Sequence, residues 1–204
     1  MLFYILLIMY ALYQFGMNNA LLTKDFIVRS YEELLPANTL TGFIHFRERF
    51  EWAGYVIMFS MIPIKVSYSA ICINTGTLLA GYDVRFTRIF KAGLFGEFVF
   101  LFATLFQFAW ILTVLRPEVI QDLEGFYPLS LLGLLNSESV PGWIHLPLQK
   151  LNLFELGYVV VVSEILKVYT RTDFRKIFII VAISYGFGLL LLIAVAMFLT
   201  LQTM

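Results

Sequence analysis

Within the apolar stretches of this chain only a few residues have the chemistry to bind or transfer anything. Lys65, Ser69, Glu97, Gln107, Glu164 and Lys167 all lie in such stretches, as does Glu155. A charge at that depth costs several kcal/mol unless it is paired or reaches the surface. At 100° per residue, Lys65, Tyr68, Ser69, Cys72, Thr75 and Gly76 fall along one side of a helix, and Gly93, Glu97, Thr104 and Gln107 make a second stripe. Glu164 shares a side with Gly157 and stands one i,i+3 step from Lys167. If the stripes meet, they form an internal polar path for an ion, a proton or a small substrate, with Lys65, Glu97 and Glu164 as its titrating members. The structural alternative pairs Glu97, Glu164 and Lys167 near the helix ends and lets Lys65 reach Ser, Thr or carbonyl oxygens. Lys65 stands about 12 residues into its run, roughly 18 Å along a helix, too deep for easy snorkelling.

Catalytic signatures are sparse. His45 and His145 fall in different connections and have no His-x-x-x-His spacing, so a metal site with Glu32, Glu33 or Glu138 has little support. An outer-face enzyme using His45 or His145 stands as one alternative. Adjacent Glu32 and Glu33 diverge on a helix. Cys72 lies in the middle of an apolar run, where it acts as a small apolar residue. No phosphate-cradling glycine loop occurs, so no catalytic residue, cofactor or metal is assigned.

The elements that must position these residues are five apolar runs, near 2–22, 53–82, 92–115, 151–168 and 174–201, each close to the length that crosses ~30 Å of hydrocarbon. Of the 204 residues 60% are hydrophobic and 14% charged, and 21 are phenylalanine; mean hydropathy is +0.85. The chain reads as all-α, a polytopic membrane bundle forming one integral membrane domain over residues 1–204. The first run is expected to be a retained helix, since no small-x-small cleavage site follows it. With 14 basic and 14 acidic residues and no basic tract, nucleic acid is excluded as a partner. The connections holding Arg85, Arg88 and Lys91, and Arg171, Arg175 and Lys176, are short and basic. Those at 23–52 and 116–150 are long and rich in acids. The positive-inside rule then sets the N-terminus in the cytoplasm and the C-terminus outside.

Short interfacial helices are expected in the long outer connections. One carries Phe26, Ile27, Tyr31, Leu34 and Leu35 at helical spacing and ends at Pro36. The interleaved rings and charges from Phe43 to Trp52 suit a headgroup layer. Pro117 is expected to open a helix through Leu123 that stops at Gly125, and residues 127–135 are apolar but too short to span. Pro141, Gly142 and Pro147 are expected to break regular structure around Trp143 and His145. On the last run Ala182, Ser184, Gly186 and Gly188 provide small residues four apart, a face on which another helix can pack closely.

The order of a basic turn, Gly81–Tyr82–Asp83–Val84–Arg85–Phe86–Thr87–Arg88–Ile89–Phe90–Lys91, a helix opened by Leu151–Asn152–Leu153–Phe154–Glu155–Leu156, and a second polar turn, Tyr169–Thr170–Arg171–Thr172–Asp173–Phe174–Arg175–Lys176, resembles bacterial members of the Yip1-like family over roughly residues 53–201. That resemblance implies five membrane helices with a cytoplasmic N-terminus, a place in the bacterial cytoplasmic (inner) membrane, and action through partner binding. The expected function is that of a non-enzymatic accessory or scaffold subunit bound to the lipid bilayer and to other integral membrane proteins in a complex. The first rival is a small transporter or channel component with a path through Lys65, Glu97 and Glu164.

Overall fold

In a computed structural model, residues 1–32, 34–123, 129–135 and 140–203 are described, and among them the chain is all-helical, with no strand beyond an isolated bridge between Ser130 and Asn152. The helices are α1 (Leu2–Gly16), α2 (Lys24–Tyr31), α3 (Ala37–Arg49), α4 (Glu51–Leu79), α5 (Phe86–Trp110), α6 (Leu131–Leu134), α7 (Gly142–Lys150), α8 (Leu153–Thr170) and α9 (Phe174–Thr203). Three helical stretches are long and apolar enough to cross a membrane: Glu51–Leu79, Phe86–Leu115 and Phe174–Leu199, of 29, 30 and 26 residues. The first apolar run qualifies only together with α2, across a 61° bend. The fourth, α8, is 18 residues long and carries Glu155, Glu164 and Lys167.

The chain divides into two compact units, one built from Phe3–Ile62 with Leu101–Phe126 and the other from Pro63–Phe100 with Tyr127–Met204. In the first, α1 loosens into a wide π turn over Met17–Leu21 before the chain bends. Thr23 then caps α2 by accepting from the Phe26 amide. The bend is held by polar bonds. Arg47 donates to the Leu22 carbonyl at 2.8 Å, Asn18 donates to Glu51 at 2.9 Å, and Lys24 pairs with Glu48 at 2.5 Å. That hydrogen bond from Lys24 holds the Glu48 carboxyl below its ordinary 4.5. The pair therefore persists above that value and is lost as the pH falls through the lowered one.

Two local expectations are corrected here. Pro117 does not open an α-helix, because the described residues after it form only a single tight turn, Ile120–Leu123. Its start is held by the Asp122 carboxylate, which accepts from the Glu118 and Val119 amides. Pro141, Gly142 and Pro147 do not break regular structure either: Pro141 caps α7, and Pro147 lies within it. A proline just outside a helix start costs no internal bond, and a second one in a two-turn helix removes a single one. The Gly125 stop, Glu33 and Glu138 lie outside the described residues.

The second unit contains the buried core. Ile73 of α4, Ile89 and Ala92 of α5, Tyr158, Val162 and Leu166 of α8, and Ile177 and Val181 of α9 are all fully buried and mutually packed. Small residues set the approach of these helices. A Cβ on Gly96 would lie 2.5 Å from the Tyr158 ring, and one on Gly157 3.0 Å from Val99. At the far end α4 finishes on Gly81, whose φ of +84° suits glycine. Asp173 precedes α9, where the Lys176 and Ile177 amides bond back to its carbonyl.

Candidate functional site

Lys65 and Glu97 meet. Lys65, two residues after Pro63 on α4, places Nζ 3.1 Å from both carboxylate oxygens of Glu97 on α5, donating a hydrogen bond to Oε2 and making an ion-pair contact with Oε1. Glu97 is 2% exposed and the Lys65 side chain 44%. The ammonium also sits 3.5 Å from the centre of the Phe100 ring, so a carboxylate on one side and a π face on the other replace its water. The expected partners of Glu97 near the helix ends are thus corrected, since Glu164 bonds Lys167 at 2.9 Å on the half-exposed end of α8.

Behind the ion pair lies a row of rings. Phe100 packs on Tyr158 at 5.4 Å between centroids, and Tyr158 on Tyr185 at 4.8 Å. The Tyr185 hydroxyl donates to Glu155 Oε2 at 2.5 Å. Tyr158 fits because α5 has glycines at 93 and 96: a Cβ on Gly93 would stand 3.2 Å from its hydroxyl and 3.1 Å from Val66. That hydroxyl is buried without a hydrogen-bond partner, and Ser69 and Glu97 are the nearby side chains whose charge and dipole bear on it. A strip of titratable groups therefore crosses four helices in the order Lys65, Glu97, Tyr158, Tyr185, Glu155.

Of the residues singled out from the sequence, the fold joins Lys65, Ser69 and Glu97, leaves Glu164 and Lys167 to each other, and assigns Gln107 to the other unit. Tyr158 and Tyr185 were not among the candidates, and Glu155 stood out only as a charge within an apolar run. A signal existed, because Glu155 and Tyr158 stand three apart on one helix face, but nothing local distinguishes a buried tyrosine from an interfacial one. His45 lies 3.8 Å from Glu48 in the first unit, and His145 bonds the Val140 carbonyl at 2.9 Å in the second. Among the described residues no group of three His, Cys, Asp or Glu side chains could hold a metal.

The small residues of α9 separate into two faces. Ser184 packs on Gly76, and Gly188 faces Cys72 and accepts at its carbonyl from the Tyr68 hydroxyl, at 2.8 Å. Both are engaged with α4. Ala182 and Gly186 point instead into an open groove of about 560 Å³ between α8, α9 and the segment 129–135. A Cβ on Gly186 would meet nothing within 4 Å. The groove is walled by leucines, and Glu155 and Tyr185 form part of its lining.

The two short basic turns lie at one end of the second unit. Arg88, at the start of α5, sets its guanidinium 5.0 Å from the Tyr169 ring at the end of α8. Arg85, Arg88, Lys91, Arg171, Arg175 and Lys176 are all exposed there.

These features define an all-helical protein with apolar helices of membrane-crossing length. Protein-family models, curated proteins and solved structures give no match to this chain.

Proposed function

We propose that the chain is a non-enzymatic integral membrane protein with five spans that serves as an accessory or scaffold subunit for other membrane proteins. The observation that carries this reading is the matching of the charges in the apolar runs: Lys65 with Glu97 and Glu155 with the Tyr185 hydroxyl in the interior, and Lys167 with Glu164 at the half-exposed end of α8. Each is engaged by a neighbour within the protein, which suits a rigid body that presents helix faces, whereas a transport site keeps charges for its cargo. Five spans require α1 with its π turn and α8 to cross as well. The gathering of six exposed cations at one end supports a cytoplasmic position for the two short turns, and with it an N-in, C-out topology in a bacterial cytoplasmic membrane. The Yip1-like resemblance accords with partner binding.

The test is purification in mild detergent from the native membrane, comparing the wild type with a folded Lys65→Met/Glu97→Leu double variant. The same co-purifying membrane proteins are expected with both. A wild-type protein that emerges alone contradicts the proposal.

A second reading is favoured by the gathering of Lys65, Glu97, Tyr158, Tyr185 and Glu155 across four helices. A transporter component would pass a proton between the two carboxylates by a motion that brings the Tyr158 hydroxyl, unbonded in this structure, into hydrogen-bond reach of its neighbours. In proteoliposomes, proton flux in the wild type that disappears in the folded double variant supports this reading over the first.

A further inference from the structure

We infer that the groove between α8 and α9 is a binding site for one bilayer phospholipid with a primary-amine headgroup, of the phosphatidylethanolamine class. The inference goes beyond the accessory role and needs only that the protein lies in a membrane.

The groove sets a few polar groups in an otherwise apolar wall. They include Lys150, the last residue of α7, and Glu155, in the first turn of α8. Glu155 lies level with Tyr185, to which it is bonded, and around them Leu156, Val159, Ala182, Gly186 and Leu189 line the groove with apolar surface. Its volume of about 560 Å³ falls within the ~300–1,000 Å³ of small-molecule sites. Gly186 leaves the floor open where an acyl chain would lie.

The polar groups select the headgroup. Lys150 is exposed and forms no ion pair among the described residues, so it is available to a phosphate. Glu155 receives the Tyr185 hydroxyl on Oε2, which fixes the carboxylate in the groove wall. Its other oxygen is left to accept from an ammonium. One cation and one anion, five residues apart in an apolar groove, complement a zwitterionic headgroup whose phosphate and N–H donors are separated by a short linker. A quaternary ammonium lacks the N–H groups that Glu155 can accept from, and a glycerol headgroup lacks the positive charge.

The measurement is lipid retention by the purified, delipidated full chain under native mass spectrometry. It is titrated with phosphatidylethanolamine, phosphatidylcholine and phosphatidylglycerol of identical acyl chains. The wild type should retain the ethanolamine lipid at least about tenfold more tightly than the other two, the scale of one charge-assisted hydrogen bond. Glu155→Gln keeps an acceptor for Tyr185 but no charge, and should bring the ethanolamine lipid down to the choline level. Gly186→Leu should weaken all three. Equal retention of the three lipids by the wild type, which depends on no variant, overturns the headgroup assignment. A Gly186→Leu protein that keeps its lipid but sheds a co-purifying protein overturns the lipid site and gives the groove to a partner helix.

Discussion

The two tyrosines at the centre of the second unit have different standing. Tyr185 satisfies a carboxylate, whereas the Tyr158 hydroxyl is buried without a bond. A buried orphan hydroxyl costs roughly 1–3 kcal/mol, and a hydrogen bond to a charged group contributes about 1.5–3 kcal/mol. Tyr158→Phe is therefore expected to leave thermal stability in detergent unchanged or raised, while Tyr185→Phe lowers it by about 1.5–3 kcal/mol. A Tyr158→Phe protein that is markedly less stable would mean that its hydroxyl is bonded after all. Lys65 was the residue whose depth demanded a partner, and it has one. The sequence could show that demand because a charge deep in an apolar run is costly wherever it lies. It could not show Glu97 as the answer, because 32 residues separate the two and only the packing of α4 on α5 brings them together.

At the scale of elements, the contrast between Gly186 and Gly188 shows what helical periodicity decides. Two positions on a helix are 200° apart, so small residues at 182 and 186 belong to one face and those at 184 and 188 to another. A Cβ on Gly188 would stand 2.6 Å from the Cys72 sulfur, whereas one on Gly186 meets nothing. Gly188→Ala is expected to destabilise by about 1–3 kcal/mol through overpacking, and Gly186→Ala to be neutral or slightly stabilising. Equal effects in a thermal melt would contradict the assignment of faces. Spacing alone allowed a single packing surface of all four residues, and did not say which half the chain uses itself. The apolar runs at 53–82, 92–115 and 174–201 were legible, since long apolar helices need little tertiary context. The proline-rich stretch near 141–147 misled because a short helix can take one proline at its cap and lose one bond to another.

For the whole molecule, the proposed topology makes a prediction about sides. In a Cys72→Ala background, single cysteines in place of Thr87 and Thr172 should be labelled by a membrane-impermeant maleimide from the same face. A cysteine in place of Asn38 should be labelled from the opposite one. Labelling of Thr87 and Thr172 positions from different faces would break the five-span reading. The proposed topology rests on the charge distribution of the connections. The grouping of the chain into two units was not legible in the sequence, because their boundaries fall within α4 and α5 at Ile62 and Leu101, where apolar composition continues without interruption.

The most direct test of an interior whose charges are matched is a double-mutant cycle on Lys65 and Glu97, read as unfolding free energy in mild detergent. Lys65→Met alone should cost about 3–5 kcal/mol, because it leaves the buried Glu97 carboxylate unpaired, and Glu97→Leu alone should cost less, because the Lys65 ammonium it strands is only half-buried. The double variant should recover most of that loss, giving a coupling of at least about 2 kcal/mol. Additive losses, or a harmless Lys65→Met, would show that the pair does not hold the helices together.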